Sequence, residues 1–327
     1  MDKTKLHDSM QKFFEALELQ GRASTAKGYV HALGRYDAWL QVRRVDPIHT
    51  MANDILEYQK HLATSYRKPN GQPLKRSTQS TWLSAVKSYY DYLYRRGVIL
   101  HDPASKLKLP KLKNNRITCD PLSQQEAMAM MQVQAQMVTE HPENSQYWAM
   151  EFRNLALIAM AIATGRRTSS LTDLRVKDLD FARNEVRVEW EKGRAGRVLP
   201  CARWAMKVAK DYLERARPLL LEEKPDRAWL FVGQRTDRIC VEYLARLVHK
   251  LQVRTAEENP DLEELASKKL KGHSLRVTFA TMMFLNRAGI RIVNELLLHK
   301  QMSTSARYTP LELDDLRRAC RLAHPRA

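Results

Sequence analysis

The sequence predicts a mainly α-helical chain of two domains, the second carrying one small antiparallel β-sheet. Three observations carry this. At 327 residues the chain is longer than a usual single domain of about 100–200 residues. Apolar residues recur at helical spacing through most of its length. Only EVRVEW at 185–190, followed across a turn at Gly193 to Gly196 by RVLP, has the alternation of a strand pair.

In order, Phe13, Phe14, Leu17 and Leu19 mark a first amphipathic helix. Ser24 and Thr25 read as the N-cap of a second, which carries Tyr29, Leu33, Tyr36, Trp39 and Leu40. A third begins near Thr50 and holds Ile55, Leu56, Tyr58 and Leu62. After the turn-like RKPNGQPLKR, a fourth runs from about Ser77 to Arg96 with Trp82, Val86, Tyr89, Tyr90 and Leu93. The helical spacing of the aromatics assigns them to a core rather than to base stacking. These four helices form a domain over residues 1–105. From Asp102 to Arg116 the sequence DPASKLKLPKLKNNR has two prolines, five basic residues and no helical period, which predicts an extended linker at 106–117.

The second domain spans 118–327. Ser123 and Glu126 stand in a capping-box arrangement that opens a helix. A strongly apolar helix from Ser145 to Ala163 ends at Thr164-Gly165 and delivers Arg166 and Arg167 into a turn. The hairpin follows with Lys192 at its tip. From Ala202 onward the chain is again mainly helical, with one further strand-like run, AWLFVG at 228–233.

Charge narrows the function. Fifty-five Lys and Arg against 37 Asp and Glu give +18, the balance of a polyanion binder. The first 117 residues, with 21 basic and 10 acidic side chains, carry +11 of it. Lys75, Arg76 and Lys87 are candidates for phosphate contact. In the linker, Lys106, Lys108, Lys111, Lys113 and Arg116 suit either tracking a phosphate backbone or plain solvation. No apolar run approaches the roughly 20 residues that span a bilayer, and the opening MDKTKLHDSM has no apolar signal core, so a cytoplasmic protein is expected. Cysteines 119, 201, 240 and 320 are scattered without a CxxC pair, which points to neither a zinc site nor a disulfide framework.

The second domain also orders residues suited to attack on a phosphodiester: Arg167 in TGRRTSSL, Lys192 in EKGRAGRVLP, His273 and Arg276 in HSLR, His299 in ELLLHK, and Tyr308 in SARYTP. A phosphodiester approaching its pentacoordinate transition state gathers negative charge on its non-bridging oxygens, which paired guanidiniums answer with rigid donors. A tyrosine hydroxyl, with a pKa near ~10, needs cationic neighbours or a base to act as a nucleophile. Singly each motif is weak; their conjunction in one order is what counts.

On these motifs the C-terminal region resembles the catalytic domain of the tyrosine recombinase (phage integrase) family. Thr164, Gly165 and Arg167 match its threonine-glycine-x-arginine box, Lys192 with Pro200 its hairpin lysine, and His273 with Arg276 its histidine-x-x-arginine box. His299 matches its second histidine and Tyr308 its nucleophile. The N-terminal helices resemble the family's core-binding domain in size and pattern. There are departures: Arg166 and Ser170 stand where leucine or isoleucine and an acid are usual, Leu298 where glycine is, and Val277 where histidine is frequent. None touches the six principal groups.

The resemblance implies a site-specific DNA recombinase, mainly helical with an α+β catalytic domain, in which Tyr308 attacks the scissile phosphate and leaves a covalent 3′-phosphotyrosyl link. Arg167 and Arg276 would clamp the non-bridging oxygens, Lys192 would act as general acid, His273 would assist proton transfer at the tyrosine, and His299 would donate to the phosphate. No cofactor and no metal enter. The implied partners are a double-stranded DNA site with inverted repeats, further copies of the chain forming a tetramer on two sites, and an accessory DNA-bending protein, with no membrane. The amphipathic LELDDLRRACRLA at 311–323 would serve that assembly. The first helix starts almost at Met1, which leaves no room for an arm-binding domain and favours a recombinase of a mobile element or the chromosome. Alternatives are type IB topoisomerase-like relaxation, disfavoured by the integrase-like N-terminal helices, and a catalytically silent DNA-binding regulator, which has no need of Tyr308.

If the linker tracks phosphate, replacing Lys111, Lys113 and Arg116 by alanine weakens DNA binding uniformly across sequences and flattens the dependence of log affinity on log salt, by about 0.9 for each phosphate no longer neutralised. A titration across salt concentrations checks this, and an unchanged slope places the linker off the backbone.

Overall fold

The computed structural model describes residues 5–111, 119–188, 196–221, 228–234 and 236–298. It divides the chain into two compact units, 1–115 and 116–327.

The N-terminal unit holds α1 (Asp8–Leu19), α2 (Ala23–Val42), α3 (Ala52–Thr64) and α4 (Arg76–Arg95). Helices α1, α2 and α4 pack on one another and α3 closes on α4. Their shared core is aromatic: Phe13, Phe14, Tyr36, Tyr58, Trp82, Tyr89 and Tyr90 are buried together. The hydroxyls of Tyr36, Tyr89 and Tyr90 find partners inside, whereas that of Tyr58 has none among the described residues. Tyr36 and Tyr90 share a hydroxyl hydrogen bond of 2.9 Å, and Tyr90 donates to the Pro47 carbonyl at 3.1 Å. Burial pushes the Tyr36 phenol up to about 12. These rings are core, not a stacking platform.

Two details differ from the expected pattern. Leu19 and Leu56 are exposed, at 90% and 54%, so the buried stripes of α1 and α3 are narrower than the apolar spacing indicates. Helix α2 starts at Ala23 with Arg22 as its N-cap, placing Ser24 and Thr25 inside the first turn. The turn is too short for a separate cap. Gly21, at φ +70°, and Arg22 close the end of α1 with hydrogen bonds to Glu18 O and Leu17 O, while Arg22 O already accepts from Thr25 N and Ala26 N. Beyond α4, Ala104 and Leu107 are buried in the same core, and Gln59 Nε2 donates to Lys108 O at 2.8 Å, so the chain stays packed on this unit to about that point.

In the second unit α5 (Gln124–Thr139) opens with the expected capping box: Ser123 Oγ accepts from Glu126 N at 3.1 Å and Ser123 N donates to Glu126 Oε2 at 2.6 Å. Helix α6 (Gln146–Thr164) has Ser145 as N-cap and is apolar nearly all round. Such a helix belongs at the centre, and α5, α8 (Arg203–Asp211) and α11 (Ser274–Leu285) pack against it. Between α6 and α8 come the short α7 (Thr168–Thr172) and strands β1 (Leu179–Asp180), β2 (Glu185–Val188) and β3 (Arg197–Pro200), antiparallel in the order β1-β2-β3. In β2, Val186 and Val188 are buried while Arg187 is exposed, the alternation that marks a one-sided strand. The chain continues through a π-turn at Tyr212–Ala216 into α9 (Arg217–Leu221), then α10 (Val241–Glu258), α11 and α12 (Ile290–Leu296). No helix among the described residues is long and apolar enough to cross a membrane.

The run AWLFVG is not a strand. Trp229 makes a single isolated bridge to Arg175, while Leu230, Phe231 and Val232 sink into the core. Two of its carbonyls are taken by arginines, Arg217 donating to Trp229 O at 2.9 and 3.0 Å and Arg153 Nη1 to Val232 O at 2.7 Å, while Ala228 O accepts from Val176 N and Phe231 O from Ile239 N without a continuous ladder. Arg153 is 1% exposed and also donates to Tyr243 OH at 2.6 Å, with its guanidinium 4.8 Å from that ring. It therefore joins α6, the 228–233 run and α10.

Arg153→Ala removes those donors and opens a cavity, so stability should fall by about 3 kcal/mol, combining a buried carbonyl left unpaired with the packing removed. Urea unfolding reads this directly; a loss below about 1 kcal/mol, the net worth of one ordinary hydrogen bond, shows that the run is held by its apolar side chains alone.

Candidate active site

The site is built where α6, α7, α11 and α12 meet. Gly165 caps α6 in the left-handed region at φ 57°. A Cβ on it would lie 2.7 Å from Phe279 Cγ and 2.9 Å from Leu297 Cδ2, so only glycine lets α11 and the end of α12 come this close. The next two residues form the turn, and Arg167 is the N-cap of α7. The start of α7 lies against the loop before α11: a Cβ on Gly272 would be 3.1 Å from Thr168 Oγ1.

From that loop come His273, the N-cap of α11, and Arg276 in its first turn. Arg276 is 2% exposed, with Nη1 donating to Gly165 O at 2.9 Å and Nη2 to Leu297 O at 2.6 Å. Gly165 and Leu297 are the C-caps of α6 and α12. One guanidinium thus sits on the negative ends of two helix dipoles, which favours the buried charge.

His273 keeps part of its ring open to solvent. The surrounding protein strips water from the rest, and this desolvation first, then the charges of Arg276 and Arg167, lower its pKa from the usual 6.5. The imidazole is accordingly neutral at pH 7, able to accept a proton. Three of the six sequence-predicted groups, Arg167, His273 and Arg276, are therefore brought together. Lys192, His299 and Tyr308 lie outside the described residues, as do Lys113 and Arg116 of the linker. The described ends nearest to them are joined: Arg197, at the return of the hairpin, pairs with Glu295 on α12, just ahead of Leu297 and Leu298.

Leu298 is buried and adopts φ 53°, the left-handed conformation that glycine takes without cost. The backbone shape at this position is thus the one a glycine favours, although a leucine occupies it. Arg166, the other unusual residue of the box, points inward. Its pKa is pulled down to about 10 by desolvation, against which the nearby Asp178 acts.

Of the remaining candidates, Lys75 and Arg76 are exposed at the start of α4, and Lys87 lies half-buried eleven residues further, about three turns and so on the same face as Arg76. Lys111 is exposed. Lys269 and Lys271, which sequence reading passed over, are exposed within four residues of His273; the signal was present in KKLKGHSLR. Lys268 differs, its Nζ paired with Glu126 at 2.6 Å. Cys119 and Cys201 are buried, Cys240 is exposed, and all three are free thiols. Among the described residues no three His, Cys, Asp or Glu side chains gather where they could hold a metal ion.

Comparison with known proteins agrees with this architecture. The family model for the phage integrase family matches residues 122–313, and that for the phage integrase N-terminal SAM-like domain matches 10–97. The chain is 30% identical over 318 residues to tyrosine recombinase XerC 2 of Ralstonia nicotianae, covering 97% of this chain and 85% of that one. It is 30% identical over 313 residues to tyrosine recombinase XerC of Lactobacillus delbrueckii subsp. bulgaricus, covering 95% and 92%. Among solved structures, the XerH site-specific recombinase bound to its difH substrate shares the fold with a TM-score of 0.64 at 18% identity, covering 97% of this chain and 91% of that one. A lambda integrase(75–356) dimer bound to a COC′ core site does so with a TM-score of 0.58 at 15% identity, covering 93% and 94%. A family model spanning more than half of the chain, and relatives aligned along nearly all of it, show that the chain belongs to the phage integrase family of tyrosine recombinases.

Proposed function

We propose that this recombinase cuts and rejoins DNA at a specific site through a covalent 3′-phosphotyrosyl link to Tyr308. The observation that supports the reading best is the convergence of Arg167, His273 and Arg276 at one junction, where the charges of both guanidiniums help to keep the imidazole neutral. The Tyr308 oxygen attacks the scissile phosphorus, its proton passing toward His273, while the bond to the 5′ oxygen breaks and Lys192 supplies that oxygen's proton. Arg167 and Arg276 hold the non-bridging oxygens and His299 donates to one of them. The free 5′ hydroxyl of a partner strand then attacks the phosphotyrosyl link and releases Tyr308. The number of phosphodiester bonds is conserved, so no nucleotide hydrolysis drives the exchange.

In this reading residues 1–105 grip DNA, with Lys75, Arg76 and Lys87 on phosphates, and the linker at 106–117 joins them to the catalytic domain, adding Lys111, Lys113 and Arg116. Lys269 and Lys271 extend the basic surface beside His273. The substrate is a double-stranded site with inverted repeats, two such sites gather four copies, and the segment 311–323 links neighbouring copies. An accessory DNA-bending protein assists, and the work is done in the cytoplasm on a mobile element or on the chromosome. The XerC names of the relatives and the DNA-bound state of the XerH structure favour a DNA site as partner over topoisomerase-like relaxation.

The site is found by selecting bound duplexes from random sequence, and a nicked suicide duplex carrying it then traps the intermediate. Tyr308→Phe should bind this duplex normally and form no denaturant-resistant adduct; an adduct in the phenylalanine variant makes another residue the nucleophile. Arg167→Ala or Arg276→Ala should slow cleavage by about 10²–10³, the usual effect of losing one preorganised donor.

His273 gives a pH signature. Because its folded pKa is lowered, the native protein stays neutral there while the unfolded chain takes up a proton near 6.5. Its contribution to stability is therefore present above 6.5 and lost as pH falls from 6.5 through the folded pKa. An NMR titration of the DNA-free protein should place the His273 midpoint below 6.5, and Arg167→Ala should raise it. A midpoint at or above 6.5 removes the neutral-base role.

A further inference from the structure

Arg166 occupies a position that its surroundings make costly. It lies in the turn between α6 and α7, next to Arg167, yet its Nε and Nη1 are sealed from solvent and have no hydrogen-bond partner among the described residues. Its Nη2 reaches only the Ser170 carbonyl, at 3.4 Å. Leaving a guanidinium this way is unfavourable unless an opposite charge stands near. Asp178 is that charge. It is 6% exposed; its Oδ2 accepts from Arg175 N at 2.8 Å, and its Oδ1 is sealed and without a partner, as the Arg166 nitrogens are. The half-buried Arg166 and the buried Asp178 thus carry opposite charges on the two sides of α7, and Asp178 offsets part of the desolvation at Arg166. Between them lies a helix of five residues whose N-cap is Arg167.

So short a helix has little stability of its own, and its direction is set by what pins it. Leu171 holds it to the core and Thr168 lies on Gly272. The Arg166 contact to Ser170 spans α7 from the residue before its N-cap to its third residue. Arg166 and Ser170 are also the two positions at which the arginine box is unusual, and they are the two ends of this one contact.

We propose that Arg166 is a positioning residue for Arg167: its guanidinium, anchored to the Ser170 carbonyl and attracted by the Asp178 carboxylate inside the domain, fixes the turn from which Arg167 reaches the scissile phosphate. This rests on the reading of Arg167 as a phosphate clamp. The Arg166 Nε and Nη1 atoms, sealed from solvent, are turned to the inside of the domain and not to DNA.

The test compares Arg166→Leu, Asp178→Asn, the double variant, Arg166→Lys and Arg167→Ala in the full-length protein. Each single change leaves one buried charge without its counterpart, so Arg166→Leu and Asp178→Asn lower the thermal midpoint. Both also cleave the suicide duplex about 10²-fold more slowly at unchanged DNA affinity, as an ångström-scale misplacement of a catalytic group does. The double variant carries no orphan charge. It recovers the thermal midpoint and stays slow, which separates positioning from mere charge compensation. Arg166→Lys keeps the charge facing Asp178 and returns most of the rate.

The second readout needs no DNA. Among the described residues the charges that lower the His273 pKa are those of Arg276 and Arg167. Displacing Arg167 by Arg166→Leu therefore raises the His273 midpoint, in the direction that Arg167→Ala sets. Should Arg166→Leu alone fail to fold, the double variant carries both measurements. Wild-type cleavage and an unmoved His273 midpoint in the double variant overturn the proposal. Wild-type cleavage by Arg167→Ala overturns instead the underlying reading of the site, so the two failures are told apart.

Discussion

The catalytic unit depends on a buried arginine that grips two helix ends at once. Arg276 donates to the last carbonyls of α6 and α12, and neither helix could offer those groups without the close approach that Gly165 permits. The arrangement solves two problems together. Carbonyls at helix ends need donors, and a buried guanidinium needs negative surroundings. Helix dipoles supply part of the latter. From that junction the rest follows: the turn after Gly165 sets Arg167, the loop before α11 sets His273, and in sequence α12 precedes His299 and Tyr308.

What could be read from the sequence was what local chemistry determines. The capping box at Ser123 and Glu126, the serine and glycine that bound α6, and the alternating valines of β2 are decided within a few residues, and the structure has them where the sequence places them. The AWLFVG run imitates a strand because its decisive partners are distant. Arg153 and Arg217 satisfy two of its carbonyls, and nothing near residue 230 announces them. The start of α2 misleads for the opposite reason, since Arg22 serves the end of one helix and the beginning of the next, and a polar residue just downstream imitates a cap. At the site, the residue types of the boxes were legible, whereas the inward turn of Arg166 was not: a second arginine beside the first looks like more surface charge until its burial is known.

The two units use their polar atoms differently. In the N-terminal unit the Tyr36 and Tyr90 hydroxyls pair with one another and Tyr90 with a nearby carbonyl, while basic side chains such as Lys75 and Arg76 stay on the outside. In the catalytic unit buried arginines carry structural duties, Arg153 and Arg217 among them, so part of its positive charge is committed to the fold. Net charge therefore understates the difference between the two surfaces. The count that matters is of cations left outside.

Leu298 shows how a family motif can change its letters and keep its shape. A left-handed leucine costs about 1–2 kcal/mol relative to the ordinary region, while burying its side chain returns about 1.5–3 kcal/mol. The two nearly cancel. Stability alone is then almost indifferent between leucine and glycine here, and what this backbone asks for is the dihedral angle and not one particular residue. Pattern searches that demand a glycine before the second histidine will pass over chains of this kind, although their backbones turn in the same way.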